Sequence, residues 1–162
     1  MTDTPTAAGD QPLAQEATPK SLWTIAILGL APFPIAAGFY GYGPPDAARL
    51  AMTALLTWSA VVLSFMAGVR WGLETSRRTL RRGRLVLAFA FGVAAWLPLV
   101  MRWRLEPPWT LAAYLAAFML QWLTDHLTPH TAKRFPKLST AITVAACVSL
   151  ALALDQAIHT QS

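Results

Sequence analysis

The sequence predicts an all-α polytopic membrane protein, a bundle of five transmembrane helices. Three observations carry that prediction. The 162 residues are 55% hydrophobic and only 13% charged, with a mean hydropathy of +0.43, which is far from the balance of a soluble domain. Five apolar stretches recur along the chain, at about 22–42, 50–69, 85–101, 109–124 and 138–154. Finally, the basic residues segregate between alternate loops. With five crossings, one side holds Lys20, Arg70, Arg77, Arg78, Arg81, Arg82, Arg84, Lys133, Arg134 and Lys137, and the other holds Arg49, Arg102 and Arg104, a split of 10 to 3. Were the fourth stretch left out of the bilayer, the split would fall to 7 to 6, so the bias that directs insertion requires all five.

Met1 to residue 21 is a polar segment carrying Pro5, Pro12 and Pro19, a composition expected to form a disordered cytoplasmic tail. It lacks the arginines of a mitochondrial targeting peptide, and no cleavable secretory signal precedes the first apolar run. Residues 22–158 form the expected transmembrane domain and 159–162 a short tail. The first span contains Pro32 and Pro34, which remove two backbone donors and predict a helix break near mid-span that neighbouring helices must cover. Gly41, Gly43, Pro44 and Pro45 then mark a turn.

The second span places Ala60, Ser64, Gly68 and Gly72 four residues apart, one stripe of small side chains that lets helix backbones approach closely in lipid. Its partner is expected to be a helix of this chain or of another subunit. The third span has Pro98 near its end, and Trp96, Trp103 and Trp109 are expected at the outer interface, with Trp71 and Trp122 at the inner one and Trp58 inside the bilayer. The last three spans are short, but about 17 residues still cover roughly 25 Å, which mild bilayer thinning accommodates.

The +5 net charge and pI near 10.0 sit beside apolar spans rather than on a soluble basic surface, so an anionic leaflet is the expected partner and nucleic acid is not. The Arg77–Arg84 segment is the natural place for anionic head groups, although topology alone also demands arginines there. Cys147, the single cysteine, excludes an intrachain disulfide. Asp125, His126 and His130 have the residue types of a metal site, but Pro129 interrupts the helical turn that would align them, and no metal or cofactor is expected. No nucleophile elbow or phosphate-binding glycine loop is present, so an enzyme is not the expected class. Arg70 and Asp125 fall at the same end of spans two and four, where they can pair or extend separately into water.

The run Leu63-Ser64-Phe65-Met66-Ala67-Gly68-Val69-Arg70-Trp71-Gly72 resembles the signature of a domain-of-unknown-function family that includes the transmembrane protein 69 group. Leu28 to Phe33 is similar to that family's first-span pattern, and Asp125 falls where the family tends to carry an aspartate. The resemblance covers about Leu22 to Leu154 and implies a small multi-span protein of bacterial inner and mitochondrial membranes, with Arg70, Trp71 and Asp125 as residues to test. The expected function is a non-catalytic structural, assembly or accessory subunit, self-associating or bound to a protein partner. The alternative is a small-solute or ion transporter or channel, and the third reading is a lipid-modifying enzyme. The expected location is the bacterial inner membrane, with the amino terminus cytoplasmic and the carboxyl terminus periplasmic.

Overall fold

The computed structural model describes residues 20–76, 81–127 and 136–160, and all secondary structure among them is helical. Seven helices result: α1 (Lys20–Leu30), α2 (Pro32–Tyr42), α3 (Pro45–Thr75), α4 (Arg82–Ala94), α5 (Leu97–Met101), α6 (Pro107–His126) and α7 (Pro136–His159). They make five passes, because α1 and α2 continue one another across Ala31 and α4 and α5 across Ala95 and Trp96. Thr24–Tyr42, Pro45–Thr75, Arg82–Met101 and Ser139–His159 are each long and apolar enough to cross a membrane. The remaining pass, α6, fourth along the chain, is diluted by Gln121, Thr124 and Asp125, yet its 20 residues extend about 30 Å at roughly 1.5 Å per residue.

Contacts between the passes fix their directions. Trp58 of α3 bonds to Gly29 of α1, Arg70 of α3 to Asp125 of α6, and Trp122 of α6 to Thr140 of α7. Gln156 of α7 lies beside Gly41 of α2. The passes therefore alternate, so that Thr75, Arg82, His126 and Pro136 gather at one end, called here the arginine-rich end. Tyr42, Pro45, Met101, Pro107 and His159 gather at the opposite end. Where α2 turns into α3, a Cβ at Gly43 would collide with the Phe39 carbonyl oxygen, which accepts the Gly43 N–H at 2.9 Å, so only glycine fits.

Several boundaries differ from those the sequence predicts. Helix α3 is 31 residues long and holds Arg70 and Glu74 within its last turns rather than in a loop, because both side chains find partners along the bundle. The third pass is interrupted at Ala95–Trp96, since Pro98 lacks a donor for the turn before it. Helix α7 runs on to His159, with Ala157 buried against the core. Helix α1 begins at Lys20, and residues 1–19, most of the expected tail, lie outside the described residues.

Both proline interruptions are closed by aromatic donors from another pass. Trp58 Nε1 donates to the Gly29 carbonyl at 2.8 Å, and the Tyr114 hydroxyl donates to the Ala95 carbonyl at 3.0 Å. Gly29 and Ala95 are not the carbonyls the prolines' own N–H groups would have served; the bends draw them away from the N–H groups of Phe33 and Leu99, and in hydrocarbon a side-chain donor must then take over. The core reflects this economy: Phe33, Leu55, Leu111, Tyr114, Phe118 and Leu150 are fully buried, and Phe33 meets Phe118 edge-on at 5.9 Å.

Replacing Trp58 by Phe keeps the ring and removes the donor. Thermal unfolding in detergent should show a loss on the order of 1 kcal/mol. An unchanged midpoint would mean that Gly29 needs no cover.

Candidate functional site

The densest polar arrangement in the bundle joins α3 to α6 near the arginine-rich end. Arg70 Nε donates to Asp125 Oδ1 at 2.7 Å, and Nη2 lies 2.7 Å from the same oxygen. Nη2 also donates to the Gln121 carbonyl at 2.7 Å and to Thr124 Oγ1 at 2.6 Å. The Arg70 guanidinium carbon stands 5.2 Å from the centre of the Phe91 ring of α4, so the same cation touches three passes. The two charged side chains are only 13% and 14% exposed.

Helix geometry explains why these groups meet. Gln121, Thr124 and Asp125 are three and four residues apart, so they present one edge of α6 to α3. Asp125 sits in the last turn of α6, where the negative end of the helix dipole disfavours a carboxylate. A guanidinium that binds both that carboxylate and a carbonyl of the same helix end removes the conflict. Planar guanidinium suits this task and an ammonium does not, because several acceptors are engaged from one rigid fork.

A second ion pair lies nearby. Glu74 Oε2 is 3.7 Å from Arg84 Nη1, with Glu74 buried and Arg84 half-buried, so Arg84 also braces α4 against α3. Arg81 and Arg82 remain exposed at the start of α4, while 77–80 lie outside the described residues. His126 packs on Trp122 with ring centres 4.1 Å apart, and its Nδ1 is 3.2 Å from the Trp122 carbonyl; His130 lies outside the described residues.

The small-residue stripe of α3 divides into two halves. Ala60 is buried in the core, and Ser64 accepts a hydrogen bond from Trp96 Nε1 at 3.0 Å. That bond holds Trp96 against the middle of α3 rather than at the interface where its sequence position suggests it. Trp103 and Trp109, 81% and 67% exposed, do lie at the opposite end, near Met101 and Pro107. Gly68 and Gly72 have no atom within 4 Å of where a Cβ would stand. Gly68, with Trp71, Phe89 and Gly92, borders an outward-facing apolar groove between α3 and α4 of about 500 Å³. The close approach of α3 to α4 is made instead by Ala67 and Gly92.

Sequence reasoning reaches Arg70 and Asp125 but misses Phe91, Thr124 and the Gln121 carbonyl. The spacing of Gln121, Thr124 and Asp125 on one helix edge is the signal that finds the last two. Phe91 requires the rotation of α4, which no local pattern reveals.

Arg70→Met and Asp125→Leu should each destabilise by roughly 2–4 kcal/mol, since either leaves a charge partly buried without its counterpart. The double variant should lose less than the sum, giving a coupling of about 1–3 kcal/mol in a double-mutant cycle read by thermal or denaturant unfolding. Strict additivity would show that the two groups act independently. A comparison with curated proteins finds no match, and one with solved structures finds none either. A family model described as "Protein of unknown function (DUF3429)" matches residues 18–154, nearly the whole helical region, and the chain belongs to that family.

Proposed function

We infer that this protein is a non-catalytic assembly or accessory subunit that docks on another membrane helix through the open half of the α3 stripe. The observation that carries this reading is the exposure of Gly68 and Gly72. Glycine in a helix interior costs about 1 kcal/mol relative to alanine, and here no contact from another helix among the described residues makes use of the missing side chain. In lipid, small residues at four-residue spacing let a second backbone approach and gain van der Waals contact. The polar side chains support a structural role as well: Trp58, Arg70, Trp96, Tyr114 and Trp122 each tie one pass to another. The Pro32–Pro34 break, which motivates the transporter alternative, has its Gly29 carbonyl occupied by Trp58.

The same reading places the protein in a bacterial inner membrane with the amino terminus in the cytoplasm. Its support is the segregation of 10 basic residues from 3, and in the bundle Arg81, Arg82 and Arg84 share one end with Arg70. Anionic head groups would then gather around the Arg77–Arg84 segment, at about 1 kcal/mol for each exposed cation.

A Gly68→Leu variant has room for its side chain and gains helix propensity, so the isolated protein should unfold at the wild-type temperature or above it. Purification in mild detergent, followed by cross-linking and size analysis, should recover wild-type protein in a larger assembly, either with itself or with a partner. Gly68→Leu should abolish that assembly. Recovery of both proteins as monomers, or of both in the same assembly, would overturn the docking role.

A further inference from the structure

Three polar side chains inside the bundle reach no hydrogen-bond partner among the described residues. They are the Gln121 amide, with both its nitrogen and its oxygen buried, the Thr143 hydroxyl and the Ser139 hydroxyl. Gln121 is 1% exposed and Thr143 is 4% exposed. The hydrogen bond from Trp122 to Thr140 sets the antiparallel register of α6 and α7. At roughly 1.5 Å of rise per residue, that register puts Ser139 and Thr143 each within about 3 Å of Gln121 in height.

All three sit on inward-facing stripes. Gln121 continues the buried row of Leu111, Tyr114 and Phe118 on α6, and Ser139 and Thr143 begin the row that runs through Ala146 and Leu150 on α7. The layer they occupy is bounded on both sides. One turn toward the opposite end, Phe118 packs edge-on against Phe33; one turn toward the arginine-rich end, Asp125 holds Arg70. Core polarity changes across the Phe33–Phe118 contact. Beyond it the buried polar groups are the hydroxyls of Ser59, Thr110 and Ser149, and those of Ser59 and Thr110 donate to carbonyls of their own helices, whereas on the near side the charged Arg70, Glu74 and Asp125 are buried or half-buried along with Gln121 and Thr143.

A buried amide brings two donors and an acceptor, and folded proteins rarely leave such a group dry. Ordered water makes two to four bonds in sites of this kind, and polar residues within membrane bundles commonly face hydrated space. We propose that Gln121, Ser139 and Thr143 form a bound-water chamber, entered past the Arg70–Asp125 pair and closed by Phe33 and Phe118. The protein is then hydrated from one side only, to about the depth of Gln121. This chamber uses none of the residues that line the α3–α4 groove, and it stands whether or not the docking role holds.

Cysteine modification tests the chamber, because a thiol reacts as its thiolate and needs water to ionise. The native Cys147 is first replaced by Ala. In that background Thr143→Cys and Leu150→Cys are treated with a small charged methanethiosulfonate in nanodiscs. Thr143→Cys should react at least about tenfold faster than Leu150→Cys, which lies on the same stripe beyond that contact of Phe33 with Phe118. Equal rates would overturn the chamber. Gln121→Leu gives a second, independent arm: it should leave the thermal midpoint unchanged or lowered, because a hydrated amide is already satisfied. A raised midpoint would show the amide to be dry and unpaired, and would also overturn the proposal.

Discussion

Hydrocarbon offers nothing to a carbonyl that has lost its helical partner, and this requirement organises the bundle. The chain breaks two of its five passes at prolines, and each break draws a hydrogen-bond donor from another pass. Trp58 and Tyr114 are therefore not simply large core residues. Each joins a defect in one helix to the body of a second, so the bends and the packing are specified together. A proline-free bundle would have straight passes but would lose these two fixed registers.

The same logic governs charge. Arg70 is held by a carboxylate, a hydroxyl, a carbonyl and an aromatic face, drawn from α6 and α4. A cation this enclosed is tolerable because its Nε and Nη2 donors are committed and its charge is matched by Asp125, and the commitment orients three passes at once. Arg84 and Glu74 repeat the device closer to the helix ends. Enclosed charge is thus concentrated in one half of the bundle, and the half beyond Phe33 and Phe118 holds most of the fully buried apolar side chains.

Much of this was legible in the linear pattern. Hydropathy marks the passes, the arginine partition requires the weakly apolar fourth one, and Pro32 with Pro34 locates the first interruption. Helix ends were harder to place, because Arg70, Glu74 and Gln156 resemble loop residues until their tertiary partners are known. Pro98 is visible in sequence, but that it splits α4 from α5 depends on Trp96 being drawn to Ser64 and Ala95 to Tyr114. For the site, placing two charged residues at one end sufficed to bring Arg70 and Asp125 together as candidates. Helix rotation decided the rest: it set Phe91 beneath the guanidinium, and it covered Ala60 while leaving Gly68 open. A repeat of four identifies a stripe but carries no information about which part of it is covered.

The length of α3 has a mechanical consequence. Its 31 residues span about 46 Å, against about 30 Å for both a typical hydrocarbon layer and its partner α6. The excess must be absorbed by leaning or by protruding from the membrane, and a thinner bilayer demands more of either. Because the guanidinium clamps the long helix to the short one close to one extremity, any change in lean pivots about that clamp and is felt most at the far extremity. Bilayer thickness thereby becomes a lever on the spacing between the loops at Gly43 and Arg102.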